Sequence, residues 1–264
     1  MIKIILTEQT MFRFVNPKNM NLKFCYTFYF VSVVVVSSNL VQAQVSKFSG
    51  WAALISTIKI NPSVNIIFDA QIRSADQWQN IETTIIRPGI SFAIDKKSSL
   101  SFGLALIKNK KRVTGIEDMV ADNRAWQQWL LNQPLRVNSL QHRIRLEERT
   151  IPTIYAEGNE LKKRDGKFNT RLRYFNRYAS GFTQKGKLEK GPYWIIQNEF
   201  FFNIVGGRYA NGKIFDQTRT FAGAGWKFSK AIDIEMGYML QYIEGRGKSY
   251  TNNHIMQLSS FLRL

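Results

Sequence analysis

Arginine and glutamate recur in this sequence two residues apart. Arg145 precedes Glu147 at that spacing, Arg171 precedes Arg173, and further charges stand at Arg124, Glu199 and Arg219. On an extended chain this spacing puts the side chains on one face. A face of this kind has two uses. Paired, guanidinium and carboxylate fill an interior; unpaired, the arginines line a path or a site for anions. Buried charge is costly without a partner, so an Arg/Glu network that packs the interior is the expected arrangement. Lipid hydrolysis or acyl transfer is the other chemistry to weigh, and it needs a serine nucleophile beside a histidine base. The chain has two histidines, His142 and His254. His142 falls among apolar neighbours, a poor position for a base. His254 shares a strand face with Ser260, but six residues along a strand is roughly 20 Å, so a serine partner has to come from a neighbouring strand. The expected role is therefore non-enzymatic, that of a structural or narrow-pore protein, with no catalytic set and no cofactor implied. A membrane-embedded lipid hydrolase or acyltransferase is the alternative. No glycine-rich phosphate loop and no metal-ligand cluster stands out.

The elements that carry these charges follow an export signal. Lys23 supplies a positive start, Phe24 to Val36 an apolar run, and Val41 and Ala43 the small residues of a cleavage site before Gln44. This is the layout of a secretory signal peptide, and the run is too short to anchor the chain in a membrane. Residues 1–19 carry Glu8 and Pro17 ahead of that layout, so they read as an over-extended start, with 20–43 as the signal peptide opening at Met20. The lone cysteine, Cys25, lies in the apolar run, which leaves the mature chain without a disulfide, thiolate ligand or cysteine nucleophile. Export removes four of 37 basic and one of 19 acidic residues, taking the formal charge from +18 to +15.

From Trp51 onward apolar and polar residues alternate. Ile232, Ile234, Met236, Tyr238 and Leu240 oppose Asp233, Glu235, Gly237, Met239 and Gln241. A period of two means strands. Eleven segments read this way: 50–60, 64–73, 81–94, 99–107, 122–131, 140–149, 167–179, 192–204, 213–228, 232–243 and 254–264. Tight connections (Asn61–Ser63, Asp95–Ser98, Ser229–Ala231) alternate with longer ones (Ser74–Asn80, Lys108–Ala121, Ile151–Gly166, Glu244–Asn253). Thr183–Gly191 is long for a turn. Mean hydropathy is −0.23, aromatics reach 13%, and nothing past residue 43 approaches the ~20 apolar residues of a spanning helix. The pattern predicts one all-β domain over 44–264, an antiparallel transmembrane β-barrel of 10–12 strands with periplasmic tight turns and extracellular longer loops. Bacterial single-chain barrels have even counts, so 12 is favoured over the eleven segments seen. A secreted soluble β protein with a basic surface is the competing architecture, because periodicity does not say which face is inside. Trp51, Trp129, Tyr178, Tyr193, Trp194, Trp226 and Tyr242 stand near segment ends, where aromatics form interfacial girdles. Gln257, Ser259, Leu262 and Leu264 loosely match the terminal strand that barrel-assembly machinery reads, with leucine in place of the usual terminal aromatic.

Six short motifs stand out: Arg87-Pro88-Gly89, Asn123-Arg124-Ala125-Trp126-Gln127-Gln128, Arg145-Leu146-Glu147-Glu148-Arg149, Asn198-Glu199-Phe200, Phe215-Asp216-Gln217-Thr218-Arg219 and Asn253-His254. Their order and spacing over about 51–264 resemble the family called domain of unknown function 2490. Members often carry Glu-His-Arg before Trp-Gln-Gln, where this chain has Asp122-Asn123-Arg124, so a role needing that histidine does not carry over. The resemblance implies an outer-membrane barrel of a Gram-negative bacterium and no activity. The partners expected of such an exported barrel are outer-membrane lipids, including lipopolysaccharide, and the assembly machinery, with no nucleic acid. The residues expected to form the lumen charge cluster are Arg124, Arg145, Glu147, Arg171, Arg173, Glu199 and Arg219.

Overall fold

The structure is a computed structural model that describes residues 45–75, 78–135, 138–182 and 190–264. The start region, the signal peptide and most of the Thr183–Gly191 connection lie outside the described residues. Twelve strands follow in order: β1 (Val45–Lys59), β2 (Val64–Ala75), β3 (Asn80–Ala93), β4 (Ser98–Val113), β5 (Ile116–Ala121), β6 (Arg124–Leu135), β7 (Asn138–Glu157), β8 (Glu160–Gly181), β9 (Gly191–Val205), β10 (Phe215–Lys227), β11 (Ile232–Glu244) and β12 (Tyr250–Arg263).

Eleven of these close a barrel, and they correspond to the eleven segments read from sequence. The even count expected of antiparallel closure is replaced by a parallel seam. β1 runs alongside β12 from Val45↔Thr251 to Thr57↔Arg263. Both strands therefore end at the tight-turn end, where the Lys59 amide donates to the Leu264 carbonyl at 2.7 Å. The other neighbours in the wall are antiparallel.

The twelfth strand is β5, which stands outside the barrel wall. It returns along the outer half of β4, from Val113↔Ile116 to Lys108↔Ala121. The inner half of β4 pairs with β6 instead. Lys108–Ala121 is thus a hairpin rather than the loop expected. Its arms carry Lys108, Lys110, Lys111, Arg112, Glu117 and Asp118, and charge on both faces erases the apolar alternation that marks a strand. Ile151–Gly166 is likewise a continuation of β7 and β8, with a register shift between Pro152 and Thr153.

The apolar face points out and the polar face in. On β11, Met236 is 55% exposed on the outer surface while Glu235 is 4% exposed in the lumen. Two cross-strand glycine pairs thin the inner wall. Gly89 faces Gly103, and a Cβ on Gly103 would lie 2.4 Å from the Trp126 ring. Gly223 faces Gly237 beneath Phe221, which a Cβ on Gly237 would meet at 2.6 Å. Both aromatics lie against wall that only glycine leaves open, so they fill lumen without crossing it.

Outer aromatics gather near both ends. Tyr178 and Trp194 meet at 5.2 Å, and Trp226 and Phe228 at 6.5 Å, near the tight turns. Phe215 touches Phe202 and Tyr242, and Tyr242 touches Tyr250, at the opposite end. Two residues expected in the girdles are corrected: Trp51 and Tyr193 point inward and are buried. Trp51 presents its ring to Arg73 and Arg219, and the Tyr193 hydroxyl donates to Glu235 at 2.7 Å. Each has a charged partner inside the barrel.

Candidate functional site: an arginine layer across the lumen

Register assembles the layer. Glu147 on β7 lies opposite Arg171 on β8, and Arg145 lies opposite Arg173. Glu199 on β9 lies opposite Arg219 on β10. Cross-strand neighbours on one face are within reach of each other, and a barrel of this size lets long side chains span the lumen.

Two carboxylates organise the centre. Glu147 is 1% exposed. It accepts from Arg171 at 2.7 Å and Arg124 at 3.1 Å, pairs closely with Arg173, and has Arg145 at 4.0 Å. Glu199 accepts from Arg173 and Arg143, each at 2.6 Å, with Arg219 at 3.9 Å. Arg173 therefore bridges the two glutamates. Around them Asp216 holds Arg171 at 3.0 Å, Asp122 holds Arg124 at 2.6 Å, and Asp69 pairs with Arg87.

Aromatic faces carry much of the remaining contact. The buried Phe201 ring has the guanidinium carbons of Arg171, Arg173 and Arg219 at 4.9, 4.6 and 4.7 Å. Trp51 has Arg73 at 3.8 Å and Arg219 at 5.0 Å. Arg145 lies 4.7 Å from Trp126 and donates to Gln128 at 2.6 Å. Arg73 donates to Gln71 at 2.7 Å. Closer to the tight turns, Arg263 holds Asp233 with two bonds of 2.9 Å, and Arg177 pairs with Glu235.

All seven residues singled out from the sequence meet in this layer. It also contains Arg73, Arg87, Arg143, Asp69 and Asp216, which share the same inward alternation; inspecting every polar strand face for charge would have found them. Two cavities flank the layer, one of about 760 Å³ reaching toward the tight turns and one of about 180 Å³ on the other side. Arg73, Arg87, Arg173 and Arg219 line both and so partition the lumen. The histidines are elsewhere, on the outer surface. His142 Nδ1 is 3.0 Å from the Tyr174 hydroxyl, and His254 Nδ1 is 2.5 Å from that of Tyr238.

A family model described as "Protein of unknown function (DUF2490)" matches residues 48–252. The chain belongs to this family. No curated protein matches the sequence. The family resemblance and the lumen geometry converge on the same residues. Arg87, Arg124, Arg145, Glu147, Glu199, Asp216 and Arg219 come from five of the six motifs, which are far apart in sequence and meet around one layer.

Proposed function

We propose that this chain is a non-enzymatic outer-membrane barrel of a Gram-negative bacterium, exported with cleavage after Ala43 and closed at mid-lumen by its arginine layer. The observation that carries this reading is the inverted burial, with Met236 and its apolar neighbours outside and Glu147, Glu235 and the arginines inside. A soluble barrel has its apolar face within and its charge in water. A membrane barrel has the reverse, because lipid solvates the outer apolar band. The aromatic clusters at the two ends support the same reading, since aromatic girdles sit at the two interfaces. Lipopolysaccharide and other outer-membrane lipids then surround the wall, and the assembly machinery inserts it. The non-enzymatic reading is supported by the outer-face histidines, which bond tyrosine hydroxyls rather than serines.

Fractionation and planar-bilayer recording test the proposal together. The protein is expected in the outer-membrane fraction, as a heat-modifiable band, and without channel steps above the bare bilayer. Recovery as a soluble periplasmic protein sinks the location. Open-channel steps from the wild type sink the closure.

A further inference from the structure

The smaller chamber is walled by charge of one sign. Among the described residues its lining includes Arg73, Arg87, Arg124, Arg171, Arg173 and Arg219 and not one carboxylate. The other lining residues are Thr83, Asn109 and Gln217 with two isoleucines. The carboxylates that pair with these arginines, Asp69, Asp122, Glu147, Glu199 and Asp216, are not part of that lining. The two arginines with the weakest pairing, Arg73 and Arg219, share the Trp51 ring. Arg219 is 3.9 Å from its nearest carboxylate, and Arg73 donates to an amide. Among the described residues, the Nε atoms of Arg87, Arg171 and Arg219 are buried without a hydrogen-bond partner. Arg87 and Arg171 are themselves more than nine-tenths buried.

Arginine keeps its proton at physiological pH, so this charge has to be met by something else. The wider layer sets eight arginines (73, 87, 124, 143, 145, 171, 173 and 219) against five carboxylates (69, 122, 147, 199 and 216), an excess of three positive charges. We propose that the chamber binds one phosphate group. A doubly charged tetrahedral oxyanion offsets most of the excess. Its several acceptor oxygens suit the forked donors of guanidinium, which a spherical chloride does not. The 180 Å³ volume holds about six waters at roughly 30 Å³ each, and so one phosphate with a few waters. This assignment rests on the proposed barrel with its charge inside, and not on the closure, since the same arginines would line an open path.

The test uses the mature barrel folded in detergent micelles. Inorganic phosphate is titrated against chloride at matched ionic strength, with glycerol 3-phosphate as a second probe, while melting temperature and binding heat are recorded. Phosphate is expected to raise the melting temperature where chloride does not. Tighter binding of glycerol 3-phosphate assigns the site to a phosphate carried on an organic molecule, and tighter inorganic phosphate assigns it to the free ion. Arg73→Gln and Arg219→Gln remove guanidiniums with no carboxylate within hydrogen-bond distance, and each should weaken binding about tenfold, the loss of one charge-assisted bond. Lys111→Gln, on the exposed β4–β5 hairpin, should leave binding unchanged. Equal effects of phosphate and chloride on the wild type overturn the proposal without recourse to any variant. Equal binding by wild type and both arginine variants, or loss of binding in Lys111→Gln, also overturns it. If the wild type conducts yet phosphate still raises its melting temperature, the closure fails and the site stands.

Discussion

Glu199→Gln should destabilise this barrel more than Glu147→Gln, although Glu147 touches more arginines. The reason lies in what each arginine has left. Without the Glu147 charge, Arg124 keeps Asp122, Arg171 keeps Asp216 and Arg173 keeps Glu199. Arg145 loses a contact that was already 4.0 Å long and keeps Gln128. Without the Glu199 charge, Arg173 keeps Glu147, but Arg143 and Arg219 have no carboxylate left among the described residues. They keep the faces of Phe175, Trp51 and Phe201, each worth about 0.5–2 kcal/mol. Breaking a buried pair costs about 3–5 kcal/mol. Glu147→Gln belongs at the lower end, about 3 kcal/mol, and Glu199→Gln near the upper end, about 5 kcal/mol. The double variant strips Arg173 of both partners, so its cost should exceed the sum of the singles by about 0.5–3 kcal/mol. Urea unfolding in lipid vesicles, followed by tryptophan fluorescence and gel mobility, measures all three. A larger loss in Glu147→Gln, or a double variant that is additive within about 0.5 kcal/mol, would refute the claim that residual partners set the cost.

Met236→Arg should cost about 2–4 kcal/mol in bilayers if Met236 lies near the midplane of the apolar band, whereas Gly237→Ala should cost about 1–3 kcal/mol because its methyl meets Phe221 and the Ala222 carbonyl; a neutral Met236→Arg in vesicles would reverse the in/out assignment. Asp95, in the β3–β4 turn, accepts from the Ser98 hydroxyl and from the Lys97 and Ser98 amides, and these bonds hold its carboxyl below the ordinary aspartate value. Its contribution to stability is therefore present above the unfolded value of about 3.9 and is lost as pH falls through the folded one; a carboxyl carbon NMR titration with its midpoint at or above the ordinary value would contradict this. N-terminal sequencing of envelope protein should begin at Gln44, and a mature chain beginning at Met1 or Met20 would remove the signal peptide and, with it, the proposed location.

The strands and their faces were legible in the sequence because alternation is a local property. Every second residue of 232–242 or 140–149 shares a side of the sheet whatever the rest of the chain does, so the eleven wall strands and the arginine–glutamate face could be read directly. The β4–β5 hairpin was not legible, since it projects beyond the wall and has no apolar face to repeat. Nor was the parallel β1–β12 seam, because the direction in which two distant strands meet leaves no periodic trace in either. Trp51 shows the same limit at the scale of one residue: its type and place near a strand end suit an interfacial girdle, but the pleat of β1 puts it on the lumen face, where its ring meets the guanidiniums of Arg73 and Arg219. The sequence by itself determined which side chains lie together along each strand. The tertiary structure decided which arginine meets which carboxylate and which remain unmatched, because those contacts depend on inter-strand register and on reach across a closed lumen, and both are set only when the barrel closes.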